Sequence, residues 1–465
     1  MYLPMDGNRR HFVSYFHLPF TNPGGAAFRI YFKLKKLKKI ILCTAIVLTV
    51  VSCNNDKKTI VAGTFIDSLL THYADPPAIK ANEIDLQFWK NRIDPKNPGI
   101  TNETKYAAAL ARRFHLMGDI RDIISSDSVL HQIDSVYAHK EASPLLALTG
   151  HCILQHRFKE AGQYFEQARA IGLKNYESVT TTFDVDFELG RYLLAEAGLK
   201  SIKAGNDYGY NFRHSKLAHY KGDIDTAIAD MKKAAEIAGN DIALKQAALS
   251  NVADLYLHSG NLGEAYDNYV ASIRLDAADL HSIMGLGWIA LQHDQNDSLA
   301  EKIFRFVQSR TKAPDPLFKL VQAAEARGDS ALQTKYARAF EKQVTDTVYG
   351  NMYNKYRIEL YTGILHEPAK AEPLALKELS NRNTPQTQAW YTWALFFNGK
   401  KEEAYKNFQQ FVSGKPLEGL ELYWMGKLMQ GLNKGYNAKQ FFKAAYKNRY
   451  DLSPGKVKDL EKELE

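Results

Sequence analysis

The stretch "ALSNVADLYLHSGNLGEAYDNYVASIRLDAAD", residues 248–279, decides the fold. Val252, Ala253 and Tyr256 recur at helical spacing before Gly260. After it, Ala265, Tyr269 and Ser272 stand four and then three residues apart. That spacing places a small residue, a large one and a third on one side of a second helix. Glycine takes the positive φ that ends one helix and starts a tight turn. The stretch therefore reads as two helices joined at Gly260.

The same plan recurs along the chain. Ala161, Phe165 and Ala168 fit it, as do Ala195, Leu199 and Ile202, then Ala227, Met231 and Ala234. Further on come Ala300, Phe304 and Val307, then Ala404, Phe408 and Phe411, and Ala438, Phe442 and Ala445. First members are 34, 32, 38 and 35 residues apart, then 104, then 34. The long gap has room for two weaker units, placed near residues 333 and 369 with the help of Gly328 and Gly363. Gly190, Gly222, Gly260 and Gly399 precede their alanines by five residues. A fixed period of this length marks a repeat array, in which each unit buries its apolar face against its neighbours.

These residues resemble the tetratricopeptide repeat family over about residues 103–450, in eight to ten units. The resemblance implies an all-α fold: an α-solenoid of helix-turn-helix repeats wound into a right-handed superhelix with a long concave groove. In such a groove, first-helix side chains bind peptides or protein segments. Here they are expected to include Phe212, Lys216, His219, Tyr220, Asp254, His258, His293, Trp393, Phe396, Phe397 and Tyr423. The closing segment "DLSPGKVKDLEKELE", residues 451–465, reads as a capping helix with Ser453 as its cap and Pro454 in its first turn.

The start of the chain has a different logic. Lys33 to Lys39 is basic, Ile40 to Val51 is an apolar run of 12 residues, and Cys53 follows Ser52. Twelve residues are too few to span a bilayer as a helix, and the basic-apolar-small order is that of an export signal. Val50-Val51-Ser52-Cys53 resembles the bacterial lipobox. The resemblance implies cleavage after Ser52, lipidation of Cys53 and a membrane anchor. Residue 54 is Asn rather than the Asp that retains some lipoproteins at the inner membrane, which points to the outer membrane, facing the periplasm. The expected organisation is an extension over 1–32 that reads as a start assigned too far upstream, a signal over 33–52, a polar tether over 53–75, the repeat array over 76–450 and the cap over 451–465.

Composition limits the functions. The chain has 465 residues, a formal charge of +8 and three cysteines. Eight Lys and Arg against Asp6 alone in the first 52 residues leave a net +1 for the remainder. A nearly neutral body lacks the basic footprint of nucleic-acid binding. With Cys43 in the signal and Cys53 lipidated, Cys152 has no disulfide partner. His151 and His156 fall on different faces of a helix, and Gly285-Leu286-Gly287 reads as helix packing rather than a dinucleotide loop. Asp184 and Asp186 read as solvent-facing. No nucleophile, base and orienter can be grouped, so the expectation is no enzyme, no metal and no cofactor.

The expected function is a membrane-anchored scaffold that binds an envelope protein or peptide segment in its groove. One alternative is a nutrient-capture lipoprotein partnering an outer-membrane transporter, with Trp393 to Phe397 stacking on glycan rings. Another is an enzyme with its site in residues 75–140.

Overall fold

The structure is a computed structural model that describes residues 59–94, 96, 98–202 and 206–465. The extension 1–32, the signal 33–52 and Cys53 lie outside the described residues. Among the described residues the chain is helical throughout, without strands. α1 (Gly63–Thr71) and α2 (Pro77–Lys90) lead into a series of helix pairs. These are α3 (Ile100–Met117) with α4 (Ile120–Val136), α5 (Ala142–Leu154) with α6 (Phe158–Ile171), α7 (Asn175–Glu188) with α8 (Tyr192–Leu199), and α9 (Tyr208–Tyr220) with α10 (Ile224–Ile237). Next come α11 (Ile242–Ser259) with α12 (Leu262–Leu275), α13 (Leu280–Gln292) with α14 (Asp297–Arg310), and α15 (Asp315–Arg327) with α16 (Ser330–Val344). The last are α17 (Asn354–Thr362) with α18 (Ala371–Asn381), α19 (Pro385–Phe397) with α20 (Lys401–Asn407), and α21 (Gly419–Gly431) with α22 (Gly435–Lys447). α23 (Pro454–Leu464) closes the series. The two helices of each pair pack together and successive pairs meet along the chain, α15 and α16 reaching α17 through Phe318, Phe340, Tyr353 and Tyr356, which makes the fold a tetratricopeptide-like α-solenoid. The two weaker units are α15–α16 and α17–α18.

Local chemistry explains the pairs. The turn glycines Gly190, Gly222, Gly260, Gly328 and Gly399 all have φ between +73° and +82°, a conformation that side chains with a Cβ resist. Gly363 differs: it ends α17 at φ −110°. Acidic N-caps start several helices; Asp223, Asp241, Asp279 and Asp329 each accept a hydrogen bond from the backbone N–H three residues on. The first two members of every recurring triplet are buried, from Ala161 and Phe165 to Ala438 and Phe442. The third departs twice: Ile202, past the end of α8, is half-buried, and Phe411 is turned outward. α20 runs into a π-helical turn, Phe408–Val412, whose wider winding shifts the inward register by one residue. Val412 is buried in place of Phe411, which is exposed.

Gly285 and Gly287 are packing residues. A Cβ on Gly285 would run into the Tyr269 ring, and one on Gly287 into the Phe304 ring. Tyr269 and Phe304, like Phe442 opposite Gly426, thus need a backbone with no side chain opposite them.

Two expectations need correction. The stretch read as tether contains α1, whose Ile66 is buried and whose Asp67 pairs with Lys302 at 2.7 Å; Tyr73, just past it, sits edge-on to Phe306. The groove is also not an open channel flanked only by sequence neighbours, because the array winds back onto itself. Thr311 Oγ1 donates to the Met117 carbonyl, Gln155 Nε2 to the Val348 carbonyl and Asn351 Nδ2 to the His156 carbonyl, across 194, 193 and 195 residues. Arg382 meets Glu188 across 194. These contacts join successive turns of the superhelix at an offset of 193–195 residues, which the repeat period of about 34 residues makes a little under six units.

Candidate functional site

A cavity of about 170 Å³ lies inside the winding. Its walls come from the first helices α9, α11, α13, α15, α17 and α21, from Tyr269 of α12, and from residues 450–456. One register position supplies much of the wall. Asp254, Trp288, Gln322 and Tyr356 follow one another at steps of 34 residues and all face the cavity. The series extends to Tyr220 upstream and to Trp390 and Trp424 downstream, at the same step. A fixed step in a repeat array returns each residue to the same face of its own first helix.

The cavity is lined by charges in matched pairs. Asp254 accepts from Tyr269 Oη at 2.6 Å and pairs with His281 Nε2 at 2.9 Å. His258 Nδ1 pairs with Asp451 at 2.7 Å. Lys355 Nζ sits 2.9 Å from both Glu418 and Glu421. Lys456 Nζ donates to Glu359 at 2.6 Å. Burial by itself would lower both lysines. Glu418 and Glu421 overcome it at Lys355 and hold that ammonium well above its usual range. Glu359 and Glu325 bring Lys456 up to about 12. Burial also opposes the charged form of His258, and Asp451 outweighs it, so that imidazole is shifted up. His219 packs edge-on to His258 at 4.6 Å; burial first, and the charge of His258 second, push it well below its ordinary value.

Of the residues expected in the groove, the structure brings three to this cavity: His219, Asp254 and His258. Most of the others pack between helices. Phe212 stacks on Tyr208, and Tyr220 lies on Tyr192 at 3.6 Å. Lys216 is bound by buried Glu188 at 2.6 Å, with Arg382 on the other carboxylate oxygen. Burial raises the Glu188 carboxyl, but Lys216 and Arg382 together bring it down to about 2. His293 pairs with Asp294, whose two oxygens accept from the backbone N–H groups of Ile60 and Val61. Tyr423 Oη donates to Asp459 of α23 at 2.8 Å. Trp393 is buried, stacked on Trp424 at 5.4 Å and against Phe397 at 4.5 Å, with Nε1 donating to Thr362. Its faces are therefore taken, which leaves no free indole plane for a glycan ring. Phe396 fills the space beside Gly431, and Phe397 alone of the set stands substantially exposed.

Other sequence expectations shift in the same way. Asp186 is not solvent-facing: it is buried and pairs with Arg191 at 2.7 Å, while half-buried Asp184 pairs with Arg213 at 2.6 Å. Ser453 occupies the N-cap position of α23, but its hydroxyl accepts from Lys456 Nζ instead of capping. Cys152 is fully buried, and that burial pushes its thiol far up, which makes it unreactive. His151 pairs with Asp127 at 2.6 Å. Among the described residues no group of His, Cys, Asp and Glu is arranged to hold a metal, and no helix is long and apolar enough to cross a membrane.

Trp288, Gln292, Gln322 and Lys355 were missed in the sequence. The signal that finds three of the wall residues is the 34-residue step from Asp254. Lys355, Glu418 and Asp451 carry no local signal, because they meet only when the winding brings distant segments together.

No family model matches the chain, and no curated protein matches it. Among solved structures it is similar to a tetratricopeptide repeat protein from Parabacteroides merdae, at 14% identity and a TM-score of 0.32, over 62% of this chain and 98% of that one. It is also similar to yeast Tom70, at 10% identity and a TM-score of 0.31, over 86% of this chain and 96% of that one. At those values the likeness carries no argument, and the repeat fold rests on the chain's own helix pairs.

Proposed function

We propose that the protein is a non-catalytic, membrane-anchored scaffold that binds another protein of the bacterial cell envelope through its helix-pair array. The observation that supports binding is that the inner face already holds the main chain of a distant part of the array, a 3-10 turn and the extended residue after it. The Trp288 and Gln292 side chains donate to the carbonyls of Tyr450 and Leu452. Anchoring rests on the sequence around Cys53, with the lipid in the outer membrane and the array in the periplasm. The non-catalytic reading rests on the matched pairs around the cavity, which hold His258, Lys355 and Lys456 on carboxylates.

The test is made in the protein's own host. Metabolic labelling with a fatty acid is expected to mark the native chain and not a Cys53→Ser variant. Photo-crosslinking in living cells is expected to join the chain to one envelope protein. An unlabelled native chain would overturn the anchor. A crosslinked pool with no protein partner, together with turnover of a glycan or peptide by the purified chain, would overturn the scaffold.

A further inference from the structure

The cavity of about 170 Å³ lies between parts of the chain that are distant in sequence. First helices α11, α13, α15 and α17 form one side, and the start of α21 with residues 450–456 forms the other. Two groups on the first side lack a partner. Gln322 is 7% exposed, and its Oε1 meets no hydrogen-bond donor among the described residues. A half-turn about its terminal bond exchanges oxygen and nitrogen, so this amide can offer the cavity an acceptor or a donor. His281 Nδ1 also meets no partner among the described residues. Its Nε2 is committed to the Asp254 carboxylate at 2.9 Å, so the neutral ring carries its proton there and presents Nδ1 as an acceptor. Both residues belong to one face of the array. His281 stands two turns before Trp288 on α13, and Gln322 stands one 34-residue step after it on α15. A buried polar atom left unpaired is costly, and a ligand that brings hydrogen-bonding groups removes the cost.

The wall sets the chemistry of that ligand. Its four carboxylates, Asp254, Glu359, Glu418 and Asp451, stand against Lys319, Lys355, Lys456 and the His258 that Asp451 pairs. An ion entering there finds no counter-charge to spare, so the wall favours an uncharged molecule. The rings form no slot for a flat base. Lys319 Nζ already sits over the Trp288 ring at 3.3 Å, and Phe318 and Tyr356 are tilted by 44° to each other. The volume suits a single ring, since a cavity of about 150 Å³ accepts benzene. Aromatic surface beside an amide and lysine N–H groups fits a puckered ring bearing hydroxyls, because each hydroxyl both donates and accepts.

We propose that this cavity is a binding site for one uncharged, polyhydroxylated ring of the size of a monosaccharide. Its hydroxyls meet the Gln322 amide and His281 Nδ1, and its ring carbons lie against Trp288 and Tyr356. The site is separate from the partner-binding reading, and either can fail without the other. Because the two sides of the cavity come from distant segments, an occupant that binds only the folded chain also holds 450–456 onto the array.

The experiment uses the purified full chain, titrated by calorimetry. The neutral probes are D-glucose, D-galactose, D-mannose, N-acetyl-D-glucosamine and myo-inositol. D-glucuronate and D-glucosamine are the charged controls and uracil the flat one. At least one neutral ring is expected to bind and to raise the melting temperature, and the controls are expected to do neither. Gln322→Met keeps the size of the side chain and removes its hydrogen-bonding groups. It is expected to weaken that binding on the order of tenfold and to leave the melting temperature of the unliganded chain no lower, because no bond within the fold is lost. A crystal grown with the bound ring is expected to show it in the cavity with a hydroxyl on Gln322. A methyl glycoside that binds as well as the free sugar supports a site for the end of a glycan, and one that does not supports a site for the free sugar. Binding of no neutral ring, binding of the controls in its place, unchanged affinity in Gln322→Met, or ordered water alone in the cavity of that crystal overturns the proposal. A crosslinked envelope partner together with no sugar binding keeps the scaffold and overturns this site.

Discussion

The winding of the array makes two kinds of seam. In the first, α3 to α7 meet the region from residue 311 to 384. Lys312 N–H donates to the Met117 carbonyl at 2.9 Å and Asn351 N–H to the Gln155 carbonyl at 3.0 Å. Gly118, at φ +74°, lies so close to Thr311 and Ala313 that a Cβ would collide with both. Buried Glu188 ties Lys216 and Arg382 together. In the second seam, α11 to α17 meet residues 450–456 through side chains, over a cavity, with Gly260 against the Tyr450 ring and Gly455 against the Glu325 side chain. The first seam is tied backbone to backbone. The second seam has no backbone-to-backbone bond among the described residues, so it depends on side chains such as Trp288 and Gln292. The first seam sets the winding, and the second is where the winding presents a surface.

This comparison can be broken or sharpened by substitution. The largest effect belongs to the first seam. Glu188→Gln leaves Lys216 and Arg382 buried without their carboxylate and is expected to cost about 3–5 kcal/mol in chemical denaturation. The same carboxylate makes stability fall as pH drops. Its folded value is about 2 against an ordinary 4.5, so its contribution is present above 4.5 and lost between 4.5 and 2. A loss from Glu188→Gln no greater than from an exposed charge would dissolve the distinction between seams.

Gly118→Val comes next. It combines a strained positive φ with a collision against Thr311 and Ala313, at an expected cost of about 2–4 kcal/mol in the same measurement. Trp288→Phe, on the second seam, removes one hydrogen bond and keeps the ring. It is expected to cost about 0.5–1.5 kcal/mol while faster exchange appears in residues 450–456 alone. A cost matching the first seam would make 450–456 a structural strut.

Beside the second seam, His219 gives a pH signature. Its folded value is depressed below the ordinary 6.5 by burial and by His258, so its neutral form is favoured in the fold. Stability is then lost as pH falls below about 6.5, by up to about 1.4 kcal/mol per pH unit. His258 acts in the opposite sense: its folded value is raised, so its contribution is complete below its ordinary value and lost as pH rises through the folded one. Melting temperatures of His219→Leu between pH 5 and 6.5 are expected to vary less than those of the unaltered chain. The smallest effect is Phe397→Ala at an exposed site, within about 0.5 kcal/mol in denaturation.

How much was legible follows from how far apart the interacting residues are. The triplet from Ala265 to Ser272 is read within about two helical turns, and its burial depends on neighbouring helices. Helix pairs, turn glycines and the packing role of Gly285 were therefore open to reading. The π-helical turn at Phe408–Val412 was not, because a one-residue change of winding leaves the composition unaltered. Groove residues were half legible. Asp254 and His258 stand on the inner face because their register puts them there. Trp393 and Tyr220 share a first helix position with residues that face the cavity, yet they are buried by what the next turn or helix lays over them.

The sequence by itself determined that this protein is a helix-pair array, and where its units turn, because each repeat is specified by contacts within about 34 residues. Only the tertiary structure decided which inner-face residues stay on a cavity. That depends on how tightly the array winds. The winding sums small rotations over nearly six units before Glu188 meets Arg382 or His258 meets Asp451, and no local pattern records such a sum.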